Sequence, residues 1–131
     1  MDSLKQKLLL EYMLSSGDVF ALTMPIIKTE YFDPELKRAV EFITGYHDIY
    51  RAVPTPAQLS AEAGVDFKLH ELTRDSIDYC LREVEKFCKN KAMELAIFEG
   101  ARLMNRAEED ATDINFGLIE QNIKDAVTIS L

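Results

Sequence analysis

The sequence has few of the residues and motifs on which catalysis depends. None of its five glycines precedes a lysine, so the phosphate loop G-x-x-x-x-G-K-[ST] cannot be drawn. The patterns G-x-G-x-x-G and H-E-x-x-H and the nucleophile elbow are absent as well. His47 stands next to Asp48, but neighbours on a helix diverge by about 100°, which favours a surface histidine over a catalytic pair. We therefore expect no enzymatic activity in this chain.

Cysteine and histidine are also scarce, with two of each. Cys80 and Cys88 fall on one predicted helix, where eight residues span about 12 Å, too far for a disulfide. So few ligands do not predict a zinc site. Both cysteines are interpreted as small buried hydrophobic residues, and we expect no metal or other cofactor in this chain.

Excess positive charge is missing too. The net charge is −8, which argues against non-specific binding of DNA or RNA, because that binding depends on Lys and Arg. Residues 108–131 carry six acidic groups against Lys124 alone. Arg82, Lys86 and Lys89 form a basic stripe that could meet an acidic partner or a phosphate backbone. A solvated face paired with nearby acidic residues is the favoured interpretation.

Long apolar runs and strand signals are lacking as well. No stretch approaches the eighteen or so apolar residues of a membrane span, and no signal-peptide core precedes the first helix. We expect no membrane association and a cytoplasmic location. At 131 residues the chain has the length of one domain. Its β-branched residues are scattered, which predicts an all-α fold.

Cap and proline signals divide the first half into short helices. Ser3 and Gln6 have capping-box spacing and predict a helix over residues 3–15. Asp18 is expected to cap a second, short helix that Pro25 interrupts. Asp33 and Pro34 predict the start of a third helix. Thr55, Pro56 and Gln58 repeat the device for a fourth helix that ends near Gly64, whereas residues 65–72 fit either a loop or one helical turn.

Residues 73–131 contain the two longest amphipathic runs of the sequence. A proline-free amphipathic run over residues 73–108, a polar turn and a second run over residues 114–131 predict a long helix and its antiparallel return. The expected facing residues are Ala92, Leu95, Ala96, Phe98 or Glu99, Leu103 and Met104 on the long helix, and Phe116, Ile119, Ile123, Ala126 and Val127 on the return helix. The base of the long helix should pack on a helical head of residues 1–72, leaving an arm that projects about 25 Å.

Such an arm cannot cover all of its apolar residues. Met93, Ile97, Ala101, Leu118 and Ile129 remain once the helix pair is formed. Exposed apolar patches usually mark an interface, and self-association is the favoured interpretation. The alternative is an arm that folds flat on the head and buries these residues within the chain.

With these elements in place, the chain resembles the N-terminal domain of DnaB-type replicative DNA helicases, most of all their T-even phage branch. The resemblance rests on the opening helix around residues 7–14, the connector Glu30-Tyr31-Phe32, Tyr46 in the following helix and Val53-Pro54-Thr55-Pro56. It continues through residues 81–93 and closes on residues 123–131. It extends over essentially the whole chain and implies a helical head followed by a hairpin.

The resemblance also implies a function. Six such domains form a ring collar, commonly a trimer of dimers, which docks primase and, in phage members, a helicase-loading protein. ATP and magnesium serve a RecA-like motor that is absent from this chain, so we expect no ATPase or unwinding activity, and a bacteriophage protein would act in the host cytoplasm. The predicted subunit-contact and docking residues are Ala92, Met93, Ala96, Ile97, Gly100, Ala101, Met104, Leu118, Ile119, Lys124 and Val127.

Two other functions fit the same residues. A stand-alone helical adaptor or regulator would bind a partner helix through the hairpin and would belong to no motor. A DNA-binding helical domain has only the basic stripe in its favour, and it fits poorly with the net charge.

Overall fold

A computed structural model describes residues 1–131. It contains six α-helices and two short 3₁₀ turns, Met24–Ile26 and Thr29–Tyr31, and no strand. The all-α prediction is confirmed. The helices are α1 (Ser3–Leu14), α2 (Gly17–Thr23), α3 (Pro34–Tyr50), α4 (Pro56–Ala63), α5 (Arg74–Asp110) and α6 (Phe116–Val127). None of them combines the length and the apolar character that crossing a membrane requires.

The start of α4 follows the sequence signals closely. The Thr55 hydroxyl accepts the backbone N–H of Gln58, and the Gln58 side chain accepts the N–H of Thr55. This reciprocal capping box satisfies two N–H groups that have no partner within the helix. Gly64 ends α4 with φ of 68°, a left-handed conformation that glycine adopts without a steric cost.

The predicted capping box of α1 is wrong. Asp2 is the N-cap, and its carboxylate accepts the N–H of Lys5 at 2.9 Å. Gln6 is fully buried and accepts the N–H of Asp33 at 2.9 Å, while the Ser3 hydroxyl bonds to the carboxylates of Asp33 and Glu35. The side chains that would form the box instead connect α1 to the start of α3.

The cap predictions for α2 and α3 also need correction. Ser16, not Asp18, caps α2 by accepting the N–H of Val19, and Gly17 is the first residue of α2. Asp18 lies in the first turn, where its charge favours the positive end of the helix dipole. Asp33 does precede α3, but its carboxylate makes no cap hydrogen bond. The hydrogen bond from Ser3 lowers the pKa of the Asp33 carboxyl.

The core lies between the short helices and the first half of α5. Cys80, Val84, Phe87 and Cys88 of α5 are buried in one cluster with residues of α1 to α4, as the sequence predicts. Burial raises the pKa of the Cys80 thiol to about 11 and that of Cys88 to about 12. The head residues of the cluster are Leu9, Leu10, Met13, Leu14, Val19, Phe20, Tyr31, Phe32, Leu36, Ala39, Val40, Ile43, Leu59 and Phe67.

The helical spacing of apolar residues on α3 predicts Leu36, Val40, Phe42, Ile43, Tyr46 and Ile49 as core residues, and Ile49 is wrong. Ile49 is 74% exposed, and Phe42 and Tyr46 are only half-buried. The apolar pattern of α3 is wider than the strip that the core covers, so its last turns keep apolar residues at the surface.

Residues 65–72 form a loop, without a helical turn, and α1 holds it in place. The buried Glu11 carboxylate accepts the N–H of Lys68 at 2.7 Å and lies 3.0 Å from Nε2 of His70. The Ser15 hydroxyl accepts the N–H of His70 at 2.8 Å. Residues 65–72 have no regular secondary structure, and three polar contacts and the buried Phe67 ring hold them against the head.

The helix α5 has 37 residues and is therefore about 55 Å long. Its buried residues from Ala96 onward lie outside the core cluster, because the second half of α5 packs against α6. The return helix is shorter than the predicted run: it is capped by Asn115 and ends at Val127.

Candidate functional site

Small residues form the seam between α5 and α6. Ala96, Gly100 and Ala107 are the buried positions on this half of α5, and Ala126 is the buried position on α6. A Cβ atom added to Gly100 would lie 3.4 Å from Cγ2 of Ile119. The two helices therefore approach closely along a narrow line of contact.

The register of the pair is antiparallel. At the turn, Thr112 donates its N–H to the carbonyl of Ala107 at 2.9 Å, and further from the turn Gly100 faces Ile119. Further still, Ala92 and Ile129 line one cavity of about 360 Å³ between the pair and the connector that follows α2. Residue numbers along α6 therefore rise as the numbers of the facing residues on α5 fall.

The narrow seam leaves several predicted facing residues in solvent. Phe98 and Phe116 are 64% and 66% exposed, and Val127 is 55% exposed. Met104, Leu95 and Ile123 are exposed as well. The prediction that these side chains face inward is wrong, because closely spaced helices joined by Ala and Gly leave little room between them for large side chains. At the position given as Phe98 or Glu99, Glu99 is the half-buried residue on the side of α6.

Most of the exposed apolar residues of the pair lie on one side of it, which we call the outer face. With 3.6 residues per turn and the seam centred on Ala96 and Gly100, one flank of α5 carries an apolar strip beside the seam. The corresponding flank of α6 carries a second strip, and antiparallel packing places both strips on the same side. The outer face consists of Met93, Ile97, Ala101, Met104, Phe116, Ile123 and Val127.

The opposite side of the pair differs in character. Leu95 and Glu99 of α5 and Asn122 and Asp125 of α6 lie there and line the cavity next to the 3₁₀ turns. Glu99 accepts two hydrogen bonds from Arg102, at 2.8 and 2.6 Å, and this pairing lowers the pKa of the Glu99 carboxyl. Charged and polar groups thus occupy this side, whereas the outer face has Glu120 at its edge and no ion pair among its members.

The predicted contact residues divide into three groups. Ile97, Ala101, Met104 and Val127 are exposed on the outer face, and Met93 is half-buried there. Leu118 and Lys124 are exposed at positions outside this face.

The remaining four predicted contact residues are covered within the chain. Ala96 and Gly100 are buried in the seam, where Ile119 is half-buried, and Ala92 packs against the core cluster. Packing within the chain covers these four residues wholly or in part, and their role as subunit contacts stays a prediction.

Phe116 and Ile123 were missed as surface residues. The spacing of Ala96, Gly100 and Ala107, at i, i+4 and i+11, is the sequence signal that could have found them. Small residues at that spacing line one face of a helix, and this assigns the seam to them and the flanks to the large side chains.

One residue of the basic stripe is paired: Lys89 lies 3.9 Å from Glu85 of the preceding turn. Glu83, beside the stripe, instead lies 3.2 Å from Lys5 of α1. No group of three or more His, Cys, Asp or Glu side chains is placed to hold a metal ion.

Comparison of the chain with protein-family models, with curated proteins and with solved structures gives no match.

Proposed function

We propose that this chain is a non-catalytic assembly and docking domain of the kind found at the N-terminus of DnaB-type replicative helicases. The α5–α6 pair is the hairpin arm of that domain, and the remaining helices with the base of α5 form its head. The observation that carries the proposal is the outer face, where six exposed apolar residues and the half-buried Met93 come together from two helices.

The occupant proposed for the outer face is a second copy of the chain. Most soluble homo-oligomers are symmetric, and a twofold contact presents the same patch from both subunits. Apolar side chains can meet their own copies without opposing like charges, since Glu120 stands only at the edge of the face. Burial of large side chains such as Phe116 and Ile97 contributes about 1.5–3 kcal/mol each.

Within this proposal, dimers of the arm are the repeating unit of a six-membered collar, and primase and a helicase-loading protein dock on it. The exposed Leu118, Phe98 and Lys124 lie outside the outer face and stay free for such partners once the dimer has formed. ATP and magnesium belong to the motor of the full protein. The domain itself has little or no affinity for nucleic acid, in line with its net charge of −8.

A second candidate is an adaptor that receives a partner helix on the same face. The observation that favours it is the shape of the site: two adjacent helices with apolar flanks form a groove of the type that binds amphipathic helices. A Walker A sequence encoded downstream of Leu131 in the same reading frame would exclude this candidate.

Sedimentation velocity over a concentration series tests the proposal. We expect the sedimentation coefficient to rise from that of a monomer to that of a dimer or a larger species by tens of micromolar. A strict monomer throughout the series would contradict self-association and leave the adaptor as the better account.

A further inference from the structure

A second surface lies on the head, far from the outer face in the sequence and built from different helices. Phe42, Tyr46 and Tyr50 follow one another at i, i+4 and i+8 on α3. Their ring centroids are 5.9 Å apart for the first pair and 4.5 Å for the second. This aromatic row spans about 12 Å along the helix.

The row forms one wall of a groove between α3 and α4. Gln58, Ala61 and Glu62 of α4 contribute the other wall, and the groove has a volume of about 520 Å³. Tyr50 is 63% exposed, and the neighbouring Ile49 is also in solvent. The head thus presents apolar side chains that its own core does not use.

The charges around the groove have one sign. Glu41 on α3 and Glu62 on α4 are the ionisable lining groups besides the tyrosines, and no Lys or Arg lines the groove. Neither carboxylate belongs to any of the ion pairs within the chain. Two unpaired carboxylates beside three aromatic rings attract a cation, through charge pairing and through the ring faces.

We infer that this groove binds a short amphipathic helix of a partner protein, one that carries Lys or Arg beside an apolar stripe. The walls are both helices and offer no strand edge, so the occupant is a helix laid in a groove and not an added strand. The occupant is a different protein and not a second copy through its arm, because the outer face contains no basic residue to meet Glu41 and Glu62.

The probe is a fluorescein-labelled, end-blocked peptide of about sixteen residues, long enough to populate a helix. It carries Leu at helical spacing with Arg on both sides of the stripe, and a control peptide has Glu in place of each Arg. Fluorescence anisotropy measures the binding of each peptide to the whole chain. We expect the Arg peptide to bind and the Glu peptide not to bind, with affinity that falls as salt is raised from about 0.1 to 0.5 M.

Two matched double variants locate the site. E41K/E62K reverses the charge of the groove and should weaken binding of the Arg peptide about tenfold or more. E108K/E109K makes the same charge change near the turn between α5 and α6 and should weaken it less than about twofold. I49A/Y50A removes exposed apolar groups from the groove without changing its charge. It should leave the fold intact and also weaken binding of the Arg peptide. A loss of binding in this variant cannot come from an effect of charge on folding.

Equal binding of both peptides, an equal loss in both charge variants, or no binding by the wild-type chain would each overturn the proposal. A change in sedimentation mass caused by E41K/E62K would overturn it too, because the groove would then be a contact between copies. Failure of the groove proposal would not contradict the proposed role of the outer face, since sedimentation of the wild-type chain tests that role separately.

Discussion

Gly100 of α5 and Ile119 of α6 face each other so closely that a Cβ on the glycine would lie 3.4 Å from Cγ2 of the isoleucine. At that distance the position has room for a methyl group but not for a long side chain. Glycine in the middle of this 37-residue helix costs about 1 kcal/mol in helix propensity. The contact places Gly100 in the seam within the chain, and its role as a contact between subunits stays a prediction.

The distance between Gly100 and Ile119 predicts different effects on stability for small and large side chains at position 100. G100A should be neutral or should stabilise the chain by up to about 1 kcal/mol, because one methyl group fits at van der Waals distance and helix propensity improves. G100L should destabilise it by about 1–3 kcal/mol by forcing the helices apart. Urea unfolding measures both, and hydrogen exchange of α6 should quicken in G100L alone. Equal loss of stability in both variants would contradict the close approach.

A substitution at Phe116 should change self-association without changing the stability of the monomer. F116S should weaken self-association markedly, yet it should change the free energy of unfolding of the monomer by no more than about 0.5 kcal/mol, because the ring is largely in solvent. Sedimentation and urea unfolding at low concentration measure the two effects. The control is A126L in the seam, which should destabilise the α5–α6 pair through overpacking. A large loss of monomer stability in F116S would place the ring in the seam.

The carboxylate of Glu11 should be the main anchor of residues 65–72. E11A leaves the N–H of Lys68 without its partner and should cost about 1–3 kcal/mol. E11Q retains an acceptor oxygen for that N–H and should cost less. Limited proteolysis should cut the loop faster in E11A than in E11Q or the wild type. Equal cleavage rates in all three would show that Phe67 alone holds the loop.

The two buried thiols should be inert in the native state. Ellman's reagent at pH 8 should react with neither Cys80 nor Cys88, and with both after denaturation, because the thiolate is the reactive form. A folded-state pKa above the unfolded value of about 9 means that the stabilising contribution is complete below pH 9. It is then lost as the pH rises towards about 11 and 12. C80A/C88A should therefore lose less stability between pH 9 and 11 than the wild type.

Helix boundaries follow from the sequence wherever a cap and a proline act together, as at Thr55 and Pro56. The assignment of cap residues fails where a polar side chain has two possible partners. Gln6 could have capped α1, but burial turned it towards Asp33, and tertiary packing of that kind leaves no local sequence signal.

The candidate site shows the same division. The two helices and the polar turn follow from periodicity, and four of the predicted contact residues are exposed on the outer face. The inward assignment of Phe116 and Val127 fails, because amphipathic spacing marks a wide apolar strip and does not say which part of it meets the partner helix. Interhelical distance decides that, and it is set by the small residues Ala96, Gly100 and Ala126.

The most direct test of the central claim compares the masses of two charge variants by sedimentation equilibrium at tens of micromolar. I97D places a carboxylate in the middle of the outer face, where burial of an unpaired charge is strongly unfavourable. L4D makes the same change at Leu4, a residue of α1 that is 78% exposed and lies outside that face. We predict an oligomer for the wild type and for L4D and a folded monomer for I97D. Equal masses for the wild type and I97D would contradict the proposed role of the outer face.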